Sequence, residues 1–261
     1  MTAFYDSTAG RLTCLTDGAA SFAPEIFADL PVADQNALLS AAGEVEIRTE
    51  FNCFVLEQPG AAPVLIDAGG GALMGDKAGA LAGLLADKGI APEAVGTIIF
   101  THLHRDHVGG ALDGDKPVFP NAEVVMLDIE KDFWQGKADQ PGGMLIAAYA
   151  GRIRTVSDGD DILPGVRAWH LPGHTPGHMG LRIGDDLVVV ADILHAELLQ
   201  LPHPEVSPIY DTDGAQGAAT RRAALEEIAD NGLVYVGGHQ LGPQKFGRLR
   251  RAGPGFEKTA P

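Results

Sequence analysis

Thr101-His102-Leu103-His104-Arg105-Asp106-His107-Val108-Gly109-Gly110 follows directly on the apolar run Thr97-Ile98-Ile99-Phe100. β-Branched and aromatic residues in so short a run read as a buried strand. The glycine pair beyond the cluster breaks regular structure or lets backbone approach closely. The cluster is therefore expected on a loop at a strand's carboxyl end, where α/β scaffolds usually place their chemistry. Four side chains with imidazole or carboxylate donors fall within six residues, and these are the donors that zinc and similar borderline metals take. Two apart in extended chain, His102 and His104 point to one side and could grip one ion. Asp106 and His107, a turn further on, could reach a second ion beside it. A polar surface loop is the plain alternative, but the chain has only nine histidines in 261 residues and three of them sit here.

Other apolar strands run into side chains of the same kind. Val166-Arg-Ala-Trp-His-Leu171 leads into Pro172-Gly173-His174-Thr175-Pro176-Gly177-His178, a tight turn stiffened by glycine and proline. His174 is the better ligand candidate of that turn, and His178 a packing or supporting residue. Leu187-Val-Val-Val-Ala191 is wholly apolar and ends at Asp192; a carboxylate buried there is costly unless it is paired or bound to metal. Val234-Tyr-Val236 runs into Gly237-Gly238-His239. Strand ends of this kind, on strands able to lie side by side, describe one cleft with converging ligands. Asp67 closes another buried run, Val64-Leu-Ile, ahead of Gly69-Gly70-Gly71. It either orients a ligand histidine or caps the glycine turn.

Composition narrows the partners. The formal net charge is −16, which repels a phosphate backbone and argues against nucleic acid. Apolar runs fall short of a membrane span, and MTAFYDSTAG has neither the basic start nor the apolar core of a signal peptide. Cys14 and Cys53 are the only cysteines, which excludes a disulfide framework and favours the cytoplasm.

Along the chain, Arg11–Thr16 reads as an edge strand with a turn at Asp17-Gly18, and residues 31–42 as a helix. Residues 45–51 and 53–56 read as two successive strands. Leu81, Leu84 and Leu85 mark the inner face of a helix stopped by Gly89, and Glu123–Leu127 is a strand. The mixed segment 128–151, with Phe133, Trp134 and Tyr149, is a candidate for a lid or substrate-facing helix, with core packing as the plainer use of each ring. Gln216–Ala229 reads as a helix with Leu225 and Ile228 inward, ended by Asn231-Gly232. Arg248, Arg250 and Arg251 read as a solvated tail. No repeat, low-complexity tract or linker divides residues 1–261, so one domain is expected.

At this point the sequence resembles a known family. Thr101–Gly110 is similar to the His-x-His-x-Asp-His signature of the metallo-β-lactamase superfamily of hydrolases, and Pro172–His178 to its Pro-Gly-His-Thr-Pro-Gly-His element. Asp192 and His239 fall where its remaining ligands fall, so the resemblance runs from about Asn52 to His239. Ala191-Asp-Ile-Leu-His195, Pro204-Glu-Val206 and Gly238-His239 resemble most the methyl parathion hydrolase-like and N-acyl homoserine lactonase branch. The resemblance implies an α+β fold, an αββα sandwich with a dinuclear site at its edge. One ion would be held by His102, His104 and His174 and the other by Asp106, His107 and His239, with Asp192 bridging. Zinc is the expected metal, with iron or manganese as alternatives. Two departures bear on substrate: many homoserine lactonases carry tyrosine where this chain has His195, and Gln240–Phe246 replaces an aromatic-rich segment of the organophosphate-hydrolysing relatives.

Two adjacent cations would lower the pKa of a bridging water and so give a hydroxide nucleophile. Asp106 would accept or relay the proton, and His195 would hydrogen-bond the oxyanion or donate to the leaving alkoxide; a histidine facing away from the cleft is its alternative. The expected activity is opening of lactones or related small-molecule esters, N-acyl homoserine lactones among them, with phosphotriester cleavage as a side reaction. Competing readings are a glyoxalase II-like thioesterase, a diiron redox protein (argued against by His104, where those members carry glutamate) and a β-lactamase proper. A homodimer is compatible with the chain, though no stretch demonstrates it.

Overall fold

Alternation along the strands decides the layering. In a computed structural model, which describes residues 2–261, two sheets face one another. The first contains β1 (Phe4–Ser7), β2 (Gly10–Phe22), β3 (Ile47–Glu57), β4 (Val64–Ile66) and β5 (Thr97–Ile99). After a short ladder of β6 (Leu112–Asp113) and β7 (Lys116–Pro117), it is completed by β8 (Glu123–Leu127) and β9 (Ile153–Val156). Pairing is antiparallel from β1 to β4 and parallel from β4 to β9. The second sheet runs β10 (Asp161–Leu163), β11 (Val166–His170), β12 (Met179–Ile183), β13 (Leu187–Ala191) and β14 (Val234–Gly237), with only the last pair parallel. A hairpin of β15 (Arg248–Ala252) and β16 (Gly255–Thr259) closes the chain. The helices are α1 (Val32–Ala41), α2 (Leu81–Asp87), α3 (Arg105–Val108), α4 (Asp128–Trp134), α5 (Pro141–Ala148), α6 (Glu197–Gln200) and α7 (Gly214–Asn231).

Because successive side chains in a strand point to opposite faces, β4, β5 and β8 feed two cores at once. Val64, Ile66, Ile99, Val125 and Leu127 meet Leu181, Leu187, Val189 and Val236 between the sheets. Leu65, Ile98, Val124 and Met126 turn outward onto Leu81, Leu85, Trp134 and Leu145 of the first helical layer. On the far side, Val188, Val190 and Tyr235 pack against Leu225 and Ile228 of α7 and against Leu249 and Phe256 of the hairpin. The result is the expected α+β, αββα sandwich.

Several local expectations change. β2 does not turn at Asp17-Gly18 but continues through a bulge there. The Asp17 carboxylate is used instead as an anchor, accepting from the backbone N–H groups of Gly70, Gly71, Gly79 and Leu81 at 2.7–3.2 Å. The two strands expected over 45–51 and 53–56 are one, β3, which begins at Ile47 and pairs with β2 from Ile47 to Phe51 and again from Asn52 to Glu57 across the bulge in β2. Arg248, Arg250 and Arg251 lie in the closing hairpin rather than a tail, with Arg250 paired to Glu257 and Arg251 to Asp230. The ligand-bearing strand ends belong to two sheets that face each other, β5 in one and β11, β13 and β14 in the other.

Candidate metal centre

The carboxyl end of β5 delivers Thr101 to His104 in extended chain, and α3, a single turn, then carries Asp106 and His107. This loop is pressed backbone to backbone against residues 68–71. A Cβ on Gly109 would run into the Gly70 carbonyl, and one on Gly110 into the Ala68 carbonyl. From the facing sheet come His174 between β11 and β12, Asp192 after β13 and His239 after β14. Gly238 is required beside them, since a Cβ there would stand 2.5 Å from Asp192 Oδ1. Two residues at the strand ends, Asp67 (φ 57°) and Ala191 (φ 46°), hold left-handed backbone without being glycine. Strain of about 1–3 kcal/mol per residue is typical of functional sites and must be offset by surrounding contacts.

All seven expected ligands are brought together. His102, His104 and His174 present donor atoms within 4.8 Å of one another, as do Asp106, His107, Asp192 and His239. At the centre lies Asp192 Oδ2, with Nε2 of His239 at 2.9 Å, His107 at 3.2 Å, His195 at 3.4 Å, His174 at 3.6 Å and His102 at 3.7 Å. His104 differs in turning Nδ1 inward, 2.8 Å from His174 Nε2. Asp106 Oδ2 is 3.7 Å from Nε2 of both His107 and His239.

The opposite ring nitrogens fix the protonation. His107 Nδ1–H donates to Asp67 at 2.9 Å, and His174 Nδ1–H to Asp211 at 2.8 Å. His239 Nδ1–H donates to the Glu50 carbonyl at 3.0 Å, beside the Thr49 hydroxyl. Thr101 Oγ1 donates to Asp67 and so accepts from His102 Nδ1 at 3.1 Å. With these N–H groups turned outward, each ring presents its Nε2 to a carboxylate that can only accept. Such an arrangement needs cations between the nitrogens and the carboxylate, a proton at His107 and His239 or a metal ion, and His102 Nε2 and Asp192 Oδ1 are buried without any hydrogen-bond partner. The donor set therefore fits bound divalent metal.

Electrostatics agree. Burial pushes His102, His104 and His195 well below the ordinary histidine value. Burial also acts to lower His107, yet the carboxylates of Asp192, Asp67 and Asp106 raise it well above that value. His239 is raised too, Asp192 outweighing its burial. Asp192 would be raised by burial, but His107, His239 and His102 hold it well below the carboxylate range. A pocket that retains positive charge on buried histidines attracts metal ions for the same reason.

The residues around the cluster resolve the open expectations. Asp67 orients His107 and Thr101, while the glycine turn is held by Asp17. His178 supports rather than ligates: Nδ1–H donates to the Leu171 carbonyl, Nε2 accepts from Asp192 N, and burial pushes its pKa down to about 3. His195 faces the site, stacked on His239 at 4.8 Å with Nδ1 unpartnered. Within segment 128–151, Trp134 lines the cavity and stands edge-on to His104 at 5.8 Å, whereas Tyr149 is core. Glu130 was not foreseen. Its carboxylate accepts from Leu103 N, Trp134 Nε1 and Thr175 Oγ1, tying the two histidine loops together. Asp211, Arg221, Thr49 and Tyr210 also escaped notice; Asp211 carried a faint signal, being one aspartate more than the cap of α7 needs.

The cluster floors a cavity of about 510 Å³ walled by Phe22, Phe51, Met74, Trp134 and Tyr210, with Lys77 and Arg105 also on its lining. An N-acyl homoserine lactonase of a Bacillus species is 33% identical over 101 residues, 38% of this chain and 37% of that protein. The human metallo-beta-lactamase domain-containing protein 1 is 34% identical over 136 residues, 52% of this chain and 41% of that protein. These matches span about two fifths of the relatives' own length. Among solved structures, AidC, a dizinc quorum-quenching lactonase, has the same fold, with a TM-score of 0.90 at 24% identity over 100% of this chain and 98% of its own. The hydrolase AbOPH of the beta lactamase superfamily aligns with a TM-score of 0.89 at 28% identity, covering 99% of this chain and 97% of that one. Residues 51–239, the stretch that holds every one of the converging ligands, match the family model of the metallo-beta-lactamase superfamily, and the chain belongs to that superfamily.

Proposed function

We propose that the chain is a dinuclear metal hydrolase that opens lactones or related carboxylic esters, with N-acyl homoserine lactones as the first substrates to try. One observation carries the reading: five histidine Nε2 atoms lie within 3.7 Å of a single Asp192 oxygen, and four of those rings, His102, His107, His174 and His239, turn Nδ1–H outward to a fixed acceptor. His102, His104 and His174 hold one ion in this proposal and Asp106, His107 and His239 the other, with Asp192 between them. Zinc is the metal of choice for so many neutral imidazoles, ahead of iron or manganese. Bound there, two divalent ions supply a nucleophile from water at neutral pH and polarise the acyl oxygen.

The chain's own groups do the rest. Asp106, the most exposed carboxylate of the cluster, is the proton acceptor as the tetrahedral intermediate collapses. His195, kept neutral by burial, can hydrogen-bond the developing oxyanion or the leaving alkoxide, the proton itself being returned from Asp106. The aromatic wall excludes water and suits an apolar acyl chain. A thioesterase reading would want basic residues for carboxylates; Arg250 and Arg251 are paired within the closing elements, whereas Lys77 and Arg105 line the cavity, so a glutathione thioester belongs among the substrates tested. Cytoplasmic residence belongs to the same proposal: Cys14 and Cys53 are free, and burial pushes the Cys14 thiol up to about 12. So does one hydrolase domain over residues 1–261.

The test joins metal analysis to a substrate panel of an acyl homoserine lactone, a simple γ-lactone, a phosphotriester and a glutathione thioester. About two ions per chain and chelator-sensitive lactone opening are expected, both lost in Asp192→Ala. Full activity in a metal-free Asp192→Ala protein would sink the proposal.

A further inference from the structure

We propose that Asp211 and Arg221 are positioning residues for one half of the metal centre, a buried charge pair that fixes His174 and sets how tightly the ion held through it is kept. The inference rests on the dinuclear reading and goes beyond it, for neither residue lines the cavity.

Arg221, from the middle of α7, has no exposed surface. Its guanidinium donates to the carbonyls of Ile193, Pro204 (3.0 Å) and Val206 (2.9 Å), and to Asp211 Oδ2 at 3.4 Å. Asp211, whose side chain is buried though its backbone is not, accepts from His174 Nδ1 through its other oxygen. One charged fork thus touches the residue after Asp192 and, through a single carboxylate, the back of His174. The same carbonyl of Val206 accepts from Gln200, whose amide oxygen accepts from His195 N. The whole return from Asp192 to Asp211 is organised around these two side chains.

Charge as well as position is at stake. A histidine whose distal N–H is given to a carboxylate is a stronger donor through its other nitrogen than one backed by a neutral group. His102 is backed by a hydroxyl and His239 by a carbonyl, whereas His107 is backed by Asp67 and His174 by Asp211. Each half of the centre thus contains one carboxylate-backed histidine, and Asp211 is the counterpart of Asp67. Arg221 makes an ionised carboxylate tolerable at that depth.

The experiment titrates metal-loaded protein with a chromophoric chelator and counts the ions released. Asp211→Asn keeps the size and an acceptor oxygen but not the charge. One ion per chain is expected to leave it at a chelator concentration 10- to 100-fold lower than from the wild type, the second ion leaving unchanged. Arg221→Lys keeps a cation but loses the fork, reads the pair from its other end, and is expected to loosen the same ion. Thr220→Val removes a different tie to the His174 loop, the hydroxyl donating to Pro172 O at 2.7 Å, and should release both ions as the wild type does. The proposal is overturned if Asp211→Asn releases its ions like the wild type or loosens both alike, or if Thr220→Val loosens one as much. Fewer than two ions in the wild type would instead defeat the dinuclear reading itself.

Discussion

A single aspartate oxygen surrounded by imidazole nitrogens is stable only if every surrounding ring is held in the right protonation state, and His178 shows how the protein enforces this. The ring is fully buried and its folded pKa is about 3, against an ordinary value of 6.5. Above 6.5 both folded and unfolded chains carry it neutral, and its contribution to stability is fully present. As the pH falls below 6.5 the unfolded chain takes up a proton that the folded chain refuses, so stability is lost by up to about 1.4 kcal/mol per pH unit. His178→Gln, whose amide oxygen can still accept from Asp192 N, removes that proton. Its unfolding free energy is expected to vary less steeply between pH 6.5 and 5 than that of the wild type. Parallel slopes in denaturant titrations at a series of pH values would contradict the assignment.

At the level of elements, most of what was legible lay where hydrophobic runs end abruptly. The runs into His102, His174, Asp192 and His239 were readable because a polar ligand after an apolar strand breaks the pattern. Asp17 and Glu130 were not, because an aspartate before glycine looks like a turn and a glutamate in a polar helix looks like solvent-facing surface. Asp17's partners, backbone N–H groups far along the chain, and the Leu103 and Thr175 partners of Glu130 leave no trace in local composition. The same holds for the closing hairpin, whose alternation is masked by its arginines. Asp17 also makes β2 more than a pairing strand, since its carboxylate satisfies four donors of the 70–81 segment. Asp17→Asn puts an amide N–H₂ against some of those donors, with an expected cost of about 2–3 kcal/mol. Chemical denaturation measures the loss, and limited proteolysis should locate it to 70–81.

For the whole molecule, the centre sits where two sheets from separate halves of the chain meet, so ions held as proposed would clamp the sandwich together. Ligands that bind only the folded state stabilise it by about 2.7 kcal/mol each at a hundredfold excess over Kd. Chelation is therefore expected to lower Tm by on the order of 10 °C, in a way that added zinc reverses; an unchanged Tm would mean that the ions do not bridge the halves. The outward-turned N–H groups have one more consequence. Without metal, the carboxylates hold protons on His107 and His239, and an incoming ion must displace them. Filling the centre is thus an exchange of cations rather than an addition, and the heat measured calorimetrically for zinc uptake should change with the ionisation enthalpy of the buffer that receives the expelled protons.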